Sequence, residues 1–208
     1  MKAVILAHRE LRRAELGEAA RLLGRGMCDN PAIVRVFHIT DADRRARALE
    51  RFFGPVLAGL HQRGVICGAF LEGSLVGVCG MARPTFCRPT MFEKLDMVPS
   101  VVFGNPAGTT LRVITWAGEW ARRDLAEPHW HLGPVAVDPQ LQGQGIGTAM
   151  LTAFCSRMDD LSMLSYLETD KYENVRFYRK LGFDVVAEAE VLGVPNWFMS
   201  RRCATPGL

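Results

Sequence analysis

The sequence predicts an α/β fold in a single domain of 208 residues. Three observations carry that expectation. Segments with helical spacing of apolar residues alternate with short β-rich segments. Residues 65–71 and 75–81 flank a tight Glu72-Gly73-Ser74 turn, which is a hairpin signal and demands antiparallel pairing. In the last third, a strand at 130–137 feeds a glycine-rich loop that opens a helix. With 49% hydrophobic and 23% charged residues, burial can offset the entropy of ordering, which excludes a disordered chain.

Taken in order, residues 2–7 are β-rich enough for a first strand. Residues 11–27 read as a helix with Leu16, Ala19, Ala20, Leu23 and Met27 on one face. Asp29-Asn30-Pro31 restarts a short helix to about Phe37, because proline suits the first helical position. Thr40 to Asp43 opens a longer helix whose apolar face is Leu49, Phe53, Val56 and Leu60, with a kink expected at Gly54-Pro55. Residues 83–108 hold four prolines and little periodicity, so a long irregular connection with one short helix is expected. Residues 111–126 are helical and apolar on more than one side, as in a helix that is sandwiched or lines a cavity. The helix after the glycine-rich loop runs to about Met158, with Ile146, Met150, Phe154 and Met158 as its buried stripe. A strand at 163–168, a short helix at 174–181 ended by Gly182, and strands at 183–192 and 197–202 complete the chain.

The formal net charge is +3, without the clustered basic stripe that nucleic acid requires. Arg44-Arg45-Ala46-Arg47 reads as a solvated helix face. No apolar run approaches the ~18 residues of a membrane span, and the N-terminal stretch is too short for a signal-peptide core, which points to the cytoplasm. Six cysteines, at 28, 67, 79, 87, 155 and 203, lack C-x-x-C or zinc-like spacing and read as reduced thiols.

A strand, a glycine-rich loop and a helix N-terminus make an anion site. The helix start leaves backbone N–H groups unpaired, and glycines admit a pyrophosphate without Cβ atoms in its way. Two ligands use such a loop. A dinucleotide is favoured by Glu168, about 20 residues past the glycines. Against it, G-x-G-x-x-G fails in both registers, at Thr148 and at Met150, and five residues separate the strand from Gly143. Coenzyme A fits better. Gln142-Gly143-Gln144-Gly145-Ile146-Gly147 is Q-x-x-G-x-G, preceded by Val135-Ala136-Val137-Asp138-Pro139 and followed by Glu173-Asn174-Val175-Arg176-Phe177-Tyr178-Arg179-Lys180-Leu181-Gly182-Phe183.

Together these segments resemble the GNAT superfamily of N-acetyltransferases. His129-Trp130-His131-Leu132, Tyr166-Leu167-Glu168-Thr169 and Trp197-Phe198-Met199 are similar to puromycin N-acetyltransferase-like members, with His131 where those members usually carry tyrosine. The resemblance implies a mixed, mostly antiparallel central sheet flanked by helices. Its acceptor-side half would be about 1–128 and its acetyl-CoA-binding half about 129–202. It implies that backbone amides of Gly143, Gln144, Gly145, Ile146, Gly147 and Thr148 bind the pyrophosphate and that Gln142 supports the loop. The main chain around Val135, Ala136 and Val137 would pair with the pantetheine arm, and Val135 N–H would polarise the acetyl carbonyl. Asn174 and Tyr178, four apart on one helix face, would meet the coenzyme, with Tyr178 as general acid to the leaving thiolate.

The general base stays open among Glu168, Glu127, His129 and His131. The two histidines alternate onto one strand face, near the expected acceptor entrance, and with no third ligand at suggestive spacing no metal is expected. The expected activity is direct transfer from acetyl-CoA to a primary amine of a small molecule, by a monomer or homodimer. The alternatives are a peptide or protein acetyltransferase, a CoA-binding sensor and a nicotinamide-dependent oxidoreductase.

Overall fold

The computed structural model describes residues 6–84, 86–87 and 90–203. A seven-stranded sheet runs through it in the order β1-β2-β3-β4-β5-β7-β6. The strands are β1 (Leu6–Glu10), β2 (Gly64–Leu71), β3 (Ser74–Ala82), β4 (His129–Val137), β5 (Leu164–Thr169), β6 (Asp184–Val191) and β7 (Val194–Arg201). Every pairing is antiparallel except β4 with β5. This is the mixed, mostly antiparallel sheet that the resemblance implies. It differs from the all-parallel sheet of a dinucleotide-binding domain.

Alternation along the strands sends side chains to two cores. Ile66, Phe70, Val78 and Ala136 face α1 (Leu16–Met27), α2 (Pro31–Phe37) and α3 (Ala42–Arg63). Val65, Ala69, Cys79 and Met81 face the helices α6 (Ile146–Asp160) and α7 (Tyr172–Arg179). The stripe Ile146, Met150, Phe154 and Met158 on α6 is buried, as its spacing predicts. On α3, Leu49, Phe53 and Leu60 are buried and Val56 packs beside them.

Several elements differ from the expectations. The first strand begins at Leu6, and residues 2–5 of the expected strand lie outside the described residues. The helix expected from Leu11 starts with a 3-10 turn at Arg13–Glu15, and α1 proper begins at Leu16. The long helix α3 continues through Pro55. Proline removes one backbone hydrogen bond there, but buried Leu49, Phe52 and Phe53 before it and Leu57 and Leu60 after it hold both halves to the same core. Arg45 does not belong to a solvated face. It is only 7% exposed, and its guanidinium donates to the carbonyls of Cys28, Ile39 and Thr40, tying the end of α1 to the start of α3.

The connection at 83–108 contains a full helix, α4 (Met91–Val102). A capping box starts it: Thr90 Oγ1 accepts from Glu93 N at 3.3 Å, and Glu93 Oε2 accepts from Thr90 N at 2.6 Å. The following helix, α5 (Thr109–Ala121), ends five residues earlier than expected. It is not sandwiched: Leu111 and Ile114 are 68% and 64% exposed, while Trp116 packs on the α3 core. No helix among the described residues is long and apolar enough to cross a membrane.

Candidate active site

The site begins where two strands part. β4 pairs with β5 in only three positions, His129 with Leu164, Trp130 with Ser165 and His131 with Tyr166. Beyond them the sheet forks. On its other side β4 stays paired with β3, with one extra β4 residue accommodated at Gly133-Pro134, between the Leu132–Met81 and Val135–Cys79 pairs. Asp138 N donates to Val76 O at 2.9 Å. Main-chain groups alternate sides along an antiparallel strand, so Ala136 turns its N–H and C=O to β3, whereas Val135 and Val137 turn theirs to the open fork. Val137 O accepts from Gln142 Nε2 at 3.2 Å, which ties the glycine-rich loop to the end of the strand.

That loop lies below the fork. Gly143 and Gly145 have φ of +77° and +84°, a left-handed conformation that strains any residue with a Cβ. A Cβ built on either would meet nothing within 4 Å, so the space above the loop is open. Gly145 is the N-cap of α6, and the first N–H groups of that helix face the same opening. Gly26 adds a close approach from α1, because a Cβ there would lie 2.8 Å from Ala136 Cβ. A cavity of about 460 Å³ follows, lined by Val135, Val137, Gly143, Gly145, Asn174 and Tyr178 among others, with Lys171 at its edge.

A second cavity, of about 340 Å³, lies on the other side of the fork. Phe52, Phe53, Trp116 and Trp120 make its walls apolar, and Glu93, Asp124, Glu168 and Asp170 bring carboxylates to it. Glu93 is paired with Arg63, Nε to Oε1 at 2.5 Å. The Trp116 indole nitrogen is buried without a hydrogen-bond partner among the described residues. The two cavities share Met27, Asn30, Val135, Asn174 and Tyr178.

The expected site residues therefore fall into three groups. The loop, Val135, Val137, Asn174 and Tyr178 converge on the junction of the cavities. Asn174 donates through Nδ2 to Thr169 Oγ1 at 3.2 Å. Tyr178 is 8% exposed, and burial raises its pKa above the ordinary tyrosine value. Glu168 and His131 both line the second cavity and bond each other, Nε2 to Oε2 at 2.8 Å. Burial opposes a charge on His131, but Glu168 and Cys87 outweigh it and hold the imidazole above its usual pKa. His129 and Glu127 do not line either cavity. His129 is buried behind His131, with Asp124 Oδ1 at 3.0 Å from its Nε2. Glu127 turns outward to Arg202 at 2.9 Å.

Sequence reasoning missed three contributors. Asp170, just past β5, accepts from Ala32 N in the first turn of α2 at 2.6 Å, and burial raises its pKa. Asp124 follows the early end of α5. Cys87, from the connection after β3, lies 3.6 Å from His129 Nε2. No local spacing announces these meetings, which the packing of distant segments creates.

The acetyltransferase (GNAT) family model matches residues 33–183. Among solved structures, the fold is similar to that of "histone acetyltransferase HPA2 and related acetyltransferase" from Corynebacterium glutamicum, with 23% identity over 98% of this chain and 99% of that one and a TM-score of 0.72. It is also similar to the paia N-acetyltransferase of Thermoplasma acidophilum in complex with coenzyme A, at 12% identity over 95% and 99% of the two chains, TM-score 0.59. The ribosomal-protein-S18-alanine N-acetyltransferase of Escherichia coli compares at 13% identity over 98% and 97%, TM-score 0.58. At these identities the likeness is one of fold. The family match covers well over half of the sequence and takes in the forked strands, the loop, Asn174 and Tyr178, and by it the chain belongs to the acetyltransferase (GNAT) family.

Proposed function

We propose that the chain transfers the acetyl group of acetyl-CoA to a primary amine of a small molecule, by direct attack in a ternary complex. The observation that carries this reading is the junction of two cavities at Val135, Asn174 and Tyr178. The lower cavity suits the coenzyme, because its glycines leave open space at the N-terminus of α6 and the strand edge beyond His131 is not paired with β5. The upper one has the volume of a small-ligand pocket and combines aromatic walls with carboxylates that attract an ammonium group. The likeness of His129 to Leu132 to puromycin N-acetyltransferase-like members favours a small acceptor too.

In this reading, amides from Gly143 to Thr148 hold the pyrophosphate, with Gln142 bracing the loop against Val137. Val135 and Val137 take the pantetheine amides as an added strand would, and Ala136, turned to β3, holds them in register. Val135 N–H donates to the acetyl oxygen as negative charge develops on it. Glu168 accepts the proton that the ammonium must lose before attack, and His131 orients its carboxylate. Tyr178 returns a proton to the departing thiolate. Asp170 offers a second reading of the base, because burial raises its pKa and its charge acts on Tyr178.

Initial rates with both substrates varied test the direct route. Intersecting lines are expected, and parallel lines would mean a covalent acetyl-enzyme. With Glu168 as base, Glu168→Gln lowers kcat by ~10²-fold or more while Asp170→Asn lowers it far less. The reverse order would move the role to Asp170.

A further inference from the structure

We propose that Cys87, His129 and His131 form a binding site for a thiophilic divalent cation, Zn²⁺ foremost, on the wall of the acceptor cavity. The strand β4 sets the two imidazoles on one face, and the connection after β3 brings a thiol against them from 42 residues away. One donor atom from each of the three lies within 4.8 Å of the others. Cys87 Sγ is 3.6 Å from His129 Nε2. A sulfur at ~2.3 Å and a nitrogen at ~2.05 Å from one tetrahedral zinc stand about 3.6 Å apart.

The outer bonds of the two rings decide which atoms are left for a ligand. His129 Nδ1 donates to the Glu127 carbonyl at 2.8 Å. His131 Nε2 is held by Glu168 at 2.8 Å. Each ring is thus oriented through one nitrogen by an oxygen, as metal-bound histidines are, and its other nitrogen remains. On His131 that atom, Nδ1, is buried without a hydrogen-bond partner among the described residues. On His129 it is Nε2, which faces two acceptors at once, Cys87 Sγ at 3.6 Å and Asp124 Oδ1 at 3.0 Å. The Cys87 thiol can donate to Arg83 O at 3.7 Å or His129 O at 3.8 Å, but once it ionises a single proton on Nε2 cannot serve both the sulfur and the carboxylate. A dication can. The thiolate would cancel one charge of the dication, and the Asp124 carboxylate, 3.0 Å from His129 Nε2, lies near enough to offset the other. Cys87 and His131 both line the cavity, which gives an ion a path in. Acetyl transfer as proposed above uses neither Cys87 nor His129, and the cation site stands whether or not Glu168 is the base.

The test uses the full chain, reduced and stripped with a chelator, titrated with Zn²⁺ and separately with Co²⁺. About one equivalent of Zn²⁺ should bind. Co²⁺ should produce a thiolate-to-metal charge-transfer band and the strong visible absorption of a tetrahedral site. Zn²⁺ should slow iodoacetamide alkylation of Cys87, followed by peptide mass spectrometry, at least ~10-fold, and leave Cys203 unaffected. Cys87→Ser should remove the charge-transfer band, His129→Gln should weaken affinity by ~10–100-fold or more, and Cys67→Ser should change neither. Alkylation is read on the unsubstituted protein, so a variant that misfolds does not spare the proposal. Unchanged Cys87 alkylation in excess Zn²⁺, a charge-transfer band that survives Cys87→Ser, or binding indifferent to His129→Gln would each overturn it.

Discussion

Tyr178 is a buried phenol that makes no hydrogen bond to the described residues, yet it lines both cavities. In the proposed mechanism its hydroxyl returns a proton to the departing thiolate. Tyr178→Phe keeps the ring against Phe177 and Phe183 and deletes only the hydroxyl, so the fold should persist. We expect kcat to fall ~10²–10⁴-fold with acetyl-CoA affinity nearly unchanged. Burial favours the protonated phenol, so any alkaline fall in kcat set by this group should lie above its ordinary pKa of 10. Turnover at the parent rate would make Tyr178 a core residue only. At this scale, local chemistry is legible in the sequence and long-range company is not. The i, i+4 spacing by itself places Asn174 and Tyr178 on one helix face. Nothing in the sequence sets Cys87 beside His129, or Asp170 beneath the first turn of α2, because those contacts depend on how separate elements pack.

The glycine-rich loop and α4 make opposite cases among the elements. The loop is set by its own residues: Gly143 and Gly145 adopt positive φ, and Gln142 closes back on Val137. Gly145→Val places a branched side chain in the open space above the loop and strains the N-cap of α6 by ~1–2 kcal/mol. Acetyl-CoA affinity should be lost while circular dichroism stays native-like. Unchanged affinity would mean that the loop holds something else. The helix α4 carries its signal too, Thr90 with Glu93 three residues on, but Pro84, Pro89, Pro99 and Pro106 obscure the periodicity around it. Only packing shows that Glu93 also pairs with Arg63 of α3 at the cavity wall. Glu93→Ala removes one of the two bonds of the capping box and the ion pair to Arg63. The expected outcome is a several-fold rise in KM for the amine with acetyl-CoA affinity unchanged. A parallel loss of both would mean that α4 supports the whole sheet and not the acceptor side alone.

Across the whole molecule, the order of strands divides the labour. Pairing of β4 with β5 stops after three positions, and this opens the sheet between a cavity beside α6 and α7, which we assign to the coenzyme, and one beside α3, α4 and α5, which we assign to the acceptor. The coenzyme side is readable from sequence because its motifs are local and lie close together between Val135 and Phe183. The acceptor side is readable only as an order of elements, since its wall is assembled from Phe52, Glu93, Trp116, Asp124 and His131, residues far apart in the chain. That wall, apolar with carboxylates among its lining residues, is the basis for proposing a small cationic amine. The most direct test is release of free CoA thiol from acetyl-CoA across a panel of primary amines, from arylalkylamines and diamines to peptides with free N-termini or lysines, with the acetylated product identified by mass. We predict amine-dependent thiol release with small apolar-bodied amines and little with peptides. Turnover of peptides with none of the small amines, or bound acetyl-CoA with no thiol released by any amine, would contradict it.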